Sequence, residues 1–293
     1  MLPDDTGSEN THTQALSAFN SDGYTLGANN DGATNVNQNN KNYVGWLWDA
    51  GSSTVTNTSG SNDSQVRANP TAGFSIVTGS GNSGTYGHGL GVKPDLVIVK
   101  QRNNSVAWAV AHSALGTMKD NIMYLNGNAA SVTSSNFWGS SDFDTSVFPV
   151  SSNICTSGAT FVAYCFANVE GYCRIGSFEN PSSSIGAFVY CGFRPAFILG
   201  RCARNISSSS GAGDWVIQDT TRNPFNNPSD NNTIAVNVAN AEDNYYAATQ
   251  VAVDILSNGF KIRHSNSSPL GDPGRLYIFM ALAEHPFKTA RAR

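Results

Sequence analysis

The amino-acid sequence predicts an all-β protein built from tandem antiparallel β-sandwich-like modules, and three observations support that fold class. Charged residues make up only 13% of the chain, and Ser, Asn, Thr and Gly, which favour turns and short strands over helix interiors, supply most of the remaining polarity. Hydrophobic residues still amount to 40%, which is enough for a packed core. Strand-like segments also recur along the chain, whereas no convincing amphipathic helix is present.

The first recurring element is a turn ending in proline that is followed by a short apolar strand. Gly91-Val-Lys-Pro94 precedes Leu96–Val99, and Gly192-Phe-Arg-Pro195 precedes Phe197–Leu199. Short runs of branched residues that are bounded by proline and polar residues are typical of buried strands. We therefore expect both runs to lie inside a sheet.

Further elements repeat in the same order along the chain. Trp108-Ala-Val110 corresponds to Trp215-Val-Ile217, and Phe161–Ala167 corresponds to Tyr277–Ala283. A third copy of this last element is Tyr43–Trp48. The pattern predicts one N-terminal half-unit followed by two full units, because duplicated modules explain an ordered set of matches better than one large fold does.

Hairpin turns are indicated just before the last element of a unit. Ser21-Asp-Gly-Tyr-Thr-Leu26 and Ser257-Asn-Gly-Phe-Lys-Ile262 each carry Asp or Asn before Gly, the pair that supplies the positive φ angles of a tight hairpin. The middle copy, Thr145–Val150, is degenerate and lacks the glycine. Only Ala111–Lys119 is expected to form a short helical turn.

These boundaries divide the chain into four segments. Residues 1–50 are the N-terminal half-repeat or attachment segment, 51–72 a Ser/Gly/Asn-rich linker, 73–172 the first β module and 173–293 the second. Two or three strands cannot bury their apolar faces alone. We therefore expect the strands of the half-unit to pair with a neighbouring module or a neighbouring chain.

Charge and cysteine content exclude several classes of partner. The net charge is −4, so no broad basic surface is available for nucleic acid. No apolar run approaches the roughly 20 residues that span a membrane, and the N-terminus has no signal-peptide pattern. Five cysteines without a C-x-x-C pair argue against a disulfide framework and against a zinc site. Buried free thiols from a reducing cytosol are the expectation.

Three sequence segments carry residue types that are found in chemical sites. His88-Gly-Leu-Gly91 has the form of an oxyanion loop, but because no G-x-S-x-G elbow accompanies it, a tight turn is favoured. Asp142 and Asp144 could form a carboxylate pair for Ca²⁺ or glycoside hydrolysis, against a solvated loop. The segment Asn226–Asn232 is rich in oxygen ligands, yet its proline and its lack of spaced carboxylates favour a plain surface loop. No metal, cofactor or catalytic residue is therefore expected.

His112 and Asp219 occupy equivalent positions of the two units, four residues after Trp108 and Trp215. A position that accepts either histidine or aspartate is expected to be exposed to solvent and not to be a metal ligand.

The aromatic residues fall into two groups. Those that recur at repeat positions are expected to pack in the core: Trp46, Trp48, Trp108 and Trp215. Those that do not recur lie in polar, loop-like stretches, where an aromatic side chain can stack on a sugar or anchor a protein: Trp138, Tyr245 and Tyr246. The alternative for this second group is a loop packed onto its module or buried between subunits.

The ordered set of motifs resembles the repeated β modules of tail-fibre and other virion structural proteins of marine bacteriophages of the cyanophage and pelagiphage type. The resemblance extends over residues 19–293, nearly the whole chain, and its most specific motifs lie between His88 and Glu284. They are His88–Pro94, Phe161–Ala167, Val169–Tyr172, Gly192–Ala196, Asp214–Ile217, Ser257–Phe260 and Ala283–Glu284.

The resemblance implies a non-enzymatic virion structural protein, part of a tail fibre or a similar exposed appendage, assembled in the host cytoplasm. It implies other virion proteins as partners, self-association as a homotrimer by analogy with fibres, and contact with a host surface glycan. It carries no catalytic residues and no cofactor. Two alternatives stay open: a head decoration or cement protein, and a polysaccharide depolymerase or carbohydrate-binding module.

Overall fold

The computed structural model describes most of the chain, and the statements below concern the described residues. They are 1–12, 15–28, 36–181, 186–204, 213–224, 226, 232–242, 253–263 and 269–285. This part of the chain contains twenty β-strands and two short 3-10 turns, Ser113–Leu115 and Met118–Asp120. The all-β prediction is confirmed, and both 3-10 turns fall at the expected helical segment. No helix in the described ranges is long and apolar enough to cross a membrane.

The N-terminal segment forms one hairpin. Strands β1 (Leu16–Asn20) and β2 (Gly23–Leu26) pair in antiparallel fashion around the turn predicted at Ser21 and Asp22. Every residue of β1 is exposed. We call this element the N-terminal hairpin.

The first module contains one large and one small sheet. The large sheet has the strand order β10-β9-β8-β7-β12-β5-β4-β3, and the small sheet pairs β11 with β6. The strands are β3 (Val55–Asn57), β4 (Ser64–Asn69), β5 (Phe74–Ser80), β6 (Gly84–Gly87), β7 (Leu96–Gln101), β8 (Ala109–His112), β9 (Asn121–Tyr124), β10 (Val132–Thr133), β11 (Val147–Val150) and β12 (Thr160–Phe166).

The second module repeats this plan. Its large sheet has the order β13-β20-β15-β16-β17, and its small sheet has the order β14-β19-β18. The strands are β13 (Cys173–Glu179), β14 (Phe188–Tyr190), β15 (Pro195–Cys202), β16 (Val216–Asp219), β17 (Ile234–Ala235), β18 (Val253–Leu256), β19 (Gly259–Ile262) and β20 (Leu276–Ala283).

Strand order and register confirm the internal repeat. The order β9-β8-β7-β12-β5 in the first module has the same connectivity as β17-β16-β15-β20-β13 in the second. Phe161 lies opposite Gln101 in the first module, and the aligned residues Tyr277 and Cys202 lie opposite each other in the second. The duplication that the motifs indicated is therefore also a duplication of sheet geometry.

The prediction of a linker at residues 51–72 is wrong. Strands β3 and β4 lie in this segment and extend the large sheet beyond β5. Along β4, Ser64 and Val66 are buried while Gln65 and Arg67 are exposed. This period-two pattern is that of a half-buried strand, and the polar composition of the surrounding residues concealed it.

Three hydrophobic clusters hold the molecule together, and one of them joins the two modules. One cluster lies between the two sheets of the first module, and another lies between the two sheets of the second. The third, which we call the joint core, lies between the two large sheets. Its members include Phe74, Leu96, Ile98, Trp108, Val110 and Phe166 from the first module, and Ile175, Phe197, Leu199, Trp215, Ile278 and Met280 from the second.

The joint core explains why the strand-forming runs are continuously apolar. Along β7, Val97 and Val99 face the core of the first module, whereas Leu96 and Ile98 face the joint core. A strand that is buried on both faces loses the alternation of a half-buried strand. Each large sheet is thus an inner layer, and each small sheet covers its outer face.

The half-unit ending at Trp48 contributes side chains to the joint core but forms no strand there. The indole of Trp46 packs edge-on against Phe197, with ring centroids 5.8 Å apart. Trp48 packs in the same way against Phe166 at 6.2 Å and Phe197 at 5.7 Å. The core placement predicted for these tryptophans is confirmed, whereas residues 41–50 contain no strand.

All five cysteines are free and buried, as expected. Burial raises the pKa of Cys155 to about 11 and that of Cys165 to about 12. Because the thiolate is the reactive form, we expect the native protein to react slowly with Ellman's reagent, and the protein in guanidinium chloride to release five equivalents of thionitrobenzoate. Rapid reaction of the native protein would contradict this burial.

The prediction that His112 and Asp219 are exposed is wrong, since both side chains are buried. His112 Nδ1 accepts a hydrogen bond from the amide of Ala114 at 3.1 Å, and Asp219 Oδ1 accepts one from the amide of Thr221 at 3.1 Å. Histidine and aspartate interchange at this position because each side chain places a hydrogen-bond acceptor near the amide two residues further on. In both modules this acceptor caps the turn that follows the strand.

His112 should make stability depend on pH. Burial lowers its pKa from 6.5 to about 4. Between these values the unfolded chain binds a proton that the folded chain does not, so stability falls as pH drops through the window. The variant His112→Asn keeps a side-chain acceptor but does not titrate. When the pH is lowered from neutral to about 5, we expect its free energy of unfolding to fall less than that of the parent. The difference should grow by at most about 1.4 kcal/mol per pH unit. Equal pH dependence in urea titrations of both proteins would contradict this origin.

Candidate functional site

The loop at His88 is a structural turn, as predicted. His88 is buried, and its Nδ1 accepts a hydrogen bond from the amide of Leu90 at 3.2 Å. Gly89 and Gly91 have φ angles of 71° and 72°, a region that favours glycine. Burial lowers the pKa of His88. The loop is therefore a tight turn that leads the chain into β7.

The acidic pair is a solvated loop. Asp142 is exposed and forms an ion pair with Lys119 at 3.2 Å. Asp144 Oδ1 accepts hydrogen bonds from the amides of Ser146 and Val147 at 2.7 and 2.8 Å, and these bonds lower its pKa. Both carboxylates thus have local structural partners, and the loop reading is confirmed.

The described chain offers no cluster of three or more His, Cys, Asp or Glu residues that could hold a metal ion. An open polar depression is lined by Asp49, Gly51–Ser53 and Ala68–Pro70. Its one carboxylate, Asp49, accepts hydrogen bonds from the amide of Gly51 at 2.7 Å and from Asn69 Nδ2 at 3.3 Å. Most of the predicted surface loop at 226–232 lies outside the described residues.

The contact predicted for Trp138 is not supported by its position. Its side chain is 0% exposed, its Nε1 donates a hydrogen bond to the carbonyl of Asn121 at 3.0 Å, and its ring packs edge-on against Phe143. Trp138 therefore follows the alternative reading, in which the loop packs onto its module. Tyr245 and Tyr246 lie outside the described residues.

Two exposed aromatic side chains on the small sheet of the second module were missed by the sequence reasoning. Phe188 is 47% exposed and Tyr190 is 65% exposed, whereas Val189 between them is buried. The alternation puts both rings on the outer face of β14. Lys261 lies opposite Phe188 in the ladder, and its Nζ donates to the carbonyl of Gly186 at 2.9 Å.

One edge of the β14 backbone has no partner strand in the described part of the chain. The carbonyl of Ala187 accepts a hydrogen bond from the amide of Ile262, and the amide of Cys191 donates to the carbonyl of Asn258, both at 2.9 Å. Because alternate residues of an antiparallel strand face opposite sides, Phe188 and Tyr190 direct their backbone groups away from β19. No other described strand pairs with β14. We call Phe188–Tyr190 and this free side the aromatic edge.

The equivalent edge of the first module is covered. Strand β6 pairs with β11 on one side, and on its other side Asn62 forms a parallel bridge to Tyr86. The amide of Asn62 donates to the carbonyl of Thr85 at 3.1 Å, and the amide of Ser61 donates to Thr85 Oγ1 at 2.9 Å. The turn between β3 and β4 supplies this cover, and no described strand supplies it in the second module.

The N-terminal hairpin is the second exposed apolar element. Phe19 is 76% exposed, and Leu16 and Tyr24 are also exposed. The second edge of β2 has no partner strand among the described residues. An isolated two-stranded hairpin is marginally stable in water, so this element is suited to adding to another sheet.

The buried side chain of Arg201 links the two modules beside the joint core. Arg201 on β15 is fully buried, and its guanidinium donates to the carbonyls of Tyr124, Gly127 and Ala129 in the first module at 3.3, 3.0 and 2.6 Å. It also lies over the ring of Trp215 at 5.2 Å. Burial lowers its pKa to about 10. The contact links the second module to a loop of the first.

A family model described as a domain of unknown function (DUF7483) matches residues 1–286. The matched region includes the N-terminal hairpin and the strands of both modules. Neither the search of curated proteins nor the search of solved structures found a match. Because the matched region covers nearly all of the sequence, the chain belongs to the DUF7483 family.

Proposed function

We propose that this chain is a non-enzymatic structural protein of a bacteriophage particle, part of a tail fibre or a similar exposed appendage that displays host-contacting β modules. The observation that carries the proposal is the joint core. Two duplicated sandwiches share one apolar layer between their large sheets, which suits a stiff body outside the cell. Pairing of backbone groups in sheets also supports resistance to proteases.

The polar groups of the His88 turn and of the acidic loop support display rather than turnover. His88 is buried in a turn, Asp142 is paired with Lys119, and Asp144 caps a turn. Groups with such local partners are not poised to exchange protons with a substrate. The low charge content and the Ser/Asn/Gly-rich surface agree with a protein that works outside the cell.

The surface of the second module supports contact with other molecules. Phe188 and Tyr190 are exposed aromatic side chains two residues apart on one strand face. Aromatic side chains are enriched where proteins bind proteins, and their faces also stack on sugars. Other virion proteins, further copies of this chain in a homotrimer and a host surface glycan are the partners we propose.

Locating the chain on particles tests the proposal. Virions propagated from the virus that carries this gene would be purified, digested and analysed by mass spectrometry, and then labelled with gold-conjugated antibodies raised against the chain. We expect its peptides in the particle fraction and gold at the tail or its appendages. Gold on the head would instead indicate a decoration protein, and absence from purified particles would overturn the proposal.

An assay for polysaccharide cleavage tests the non-enzymatic part separately. Purified chain incubated with host surface polysaccharide should release no new reducing ends, while a known depolymerase serves as the positive control. Release of oligosaccharides by this chain would contradict the proposal even if the particle location is correct.

A further inference from the structure

We infer that the N-terminal hairpin of one copy adds to the aromatic edge of a second copy, which makes one continuous sheet across the contact. The partner is therefore another molecule of this chain. The inference goes beyond the proposed function, since it holds whether or not the chain belongs to a virus particle.

The internal repeat indicates which edge of β2 would pair with another strand. In the N-terminal hairpin, Phe19 lies opposite Tyr24, and in the second module Ile255 lies opposite Phe260. Asp22-Gly23 and Asn258-Gly259 occupy the same place in the two turns, so β2 is the counterpart of β19. Strand β19 is the strand that already pairs with β14.

Each exposed element lacks what the other provides. Among the described residues, β2 has no strand in the place that β14 takes beside β19, and no strand covers β14 as Asn62 covers β6. Placing β2 of a second copy along β14 would fill both positions. The sheet would then run β18-β19-β14 in one copy and continue through β2 and β1 of the other.

Side chains favour the same arrangement. Phe19 and Tyr24 are cross-strand neighbours and therefore share one face of the hairpin. Addition to β14 would bring Tyr24 beside Phe188 or Tyr190, because directly opposite residues in a ladder lie about 5 Å apart. The four exposed rings would lie on one face of the combined sheet, and the main-chain hydrogen bonds of β-strand addition would stabilise the contact.

The geometry also determines the symmetry of the assembly. The hairpin and the aromatic edge are different surfaces, so the contact is heterologous, and a pair of bound copies still exposes one hairpin and one aromatic edge. Such contacts produce a closed ring or an open filament. A ring of three would be the homotrimer expected for a fibre.

Sedimentation velocity on the full chain tests the contact. We expect the parent to self-associate, and Phe19→Asp and Tyr190→Asp to be monomers when measured alone. A mixture of the two variants should form a 1:1 complex, since one intact hairpin and one intact aromatic edge remain. Val92→Asp, at an exposed apolar residue outside both surfaces, should associate like the parent.

Other outcomes would overturn the inference. A monomeric parent would show that a second copy does not cover these surfaces. Self-association of either variant alone would show a contact between like surfaces or at another site. If an aspartate variant does not fold by near-ultraviolet circular dichroism, Phe19→Thr and Tyr190→Thr replace it, because threonine keeps the β propensity of the strand.

Discussion

Replacing Arg201 with alanine should lower the free energy of unfolding by about 3 to 5 kcal/mol, among the largest effects of a single substitution in this chain. The guanidinium is fully buried and satisfies three carbonyls of the first module. The carbonyl of Tyr124 keeps a second donor, Trp215 Nε1 at 2.9 Å. The carbonyls of Gly127 and Ala129 lose the guanidinium donor, at about 1–3 kcal/mol each, and water entering the cavity offsets part of the loss. Urea-induced unfolding followed by far-ultraviolet circular dichroism measures the change.

Two further variants separate the effect of losing a positive charge from the effect of losing the buried guanidinium of Arg201. Arg174→Ala removes an exposed arginine of β13 and should change stability by less than about 0.5 kcal/mol. Arg201→Lys keeps the charge but not the planar group that reaches several carbonyls, so it should fall between the parent and the alanine variant. If Arg201→Ala were as stable as Arg174→Ala, the buried cation would not fasten the modules.

Lys100 occupies the position of the first module that is equivalent to Arg201, and the two side chains have different hydrogen-bond partners. Lys100 is also fully buried, but its Nζ donates to the carbonyls of Gln101 and Asn104 at 2.8 and 3.2 Å within its own module. Burial lowers its pKa. The longer, planar side chain of Arg201 instead reaches the partner module. The same repeat position thus binds carbonyls of its own module in the first unit and carbonyls of the other module in the second unit.

Phe197→Ala should also destabilise the protein by about 3 to 5 kcal/mol, the usual range for removing a buried aromatic ring. The Phe197 ring contacts both Trp46 and Trp48 in the joint core. Its loss leaves a cavity between the large sheets and admits water beside two indoles. We therefore also expect the tryptophan emission maximum of the native protein to shift to longer wavelength.

The neighbouring residue Leu47 provides the control for Phe197. Leu47 lies between the two tryptophans but is 58% exposed. Leu47→Ala should change the free energy of unfolding by less than about 0.5 kcal/mol and leave the emission maximum unchanged. An equal loss of stability in both variants would contradict the placement of Phe197 at the centre of the joint core.

The repeat was predictable from the sequence because each strand carries a local signature. The turn before Leu96 and the turn before Phe197 match, and the aligned strands occupy the same place in their sheets. The Asp-Gly and Asn-Gly turns likewise formed hairpins. Local turn chemistry and apolar runs carry this information without any long-range contact.

Sharing of a core between modules was not predictable in this way. An apolar run such as Leu96–Val99 indicates burial on both faces, but it does not say which element covers the second face. The burial of His112 and Asp219 was missed for a related reason, since an acceptor that caps a turn cannot be distinguished by residue type from an exposed polar group. Strands β3 and β4 were missed because Ser and Asn dominate the segment around them.

The candidate contact surfaces follow from tertiary structure alone. Phe188 and Tyr190 lie in a short segment whose counterpart, Thr85 to Gly87 on β6, is covered by the turn containing Asn62. Their exposure depends on the absence of a similar cover among the described strands of the second module. Trp138 shows the opposite case, in which a polar stretch of sequence packs its one large ring inside.

Differential scanning calorimetry shows most directly whether the two modules form one body through the joint core. We expect one transition in which the calorimetric and van't Hoff enthalpies agree, because the large sheets cannot separate without exposing the joint core. Two resolved transitions in the parent protein, or a van't Hoff enthalpy near half of the calorimetric value, would show that the modules unfold independently and would contradict it.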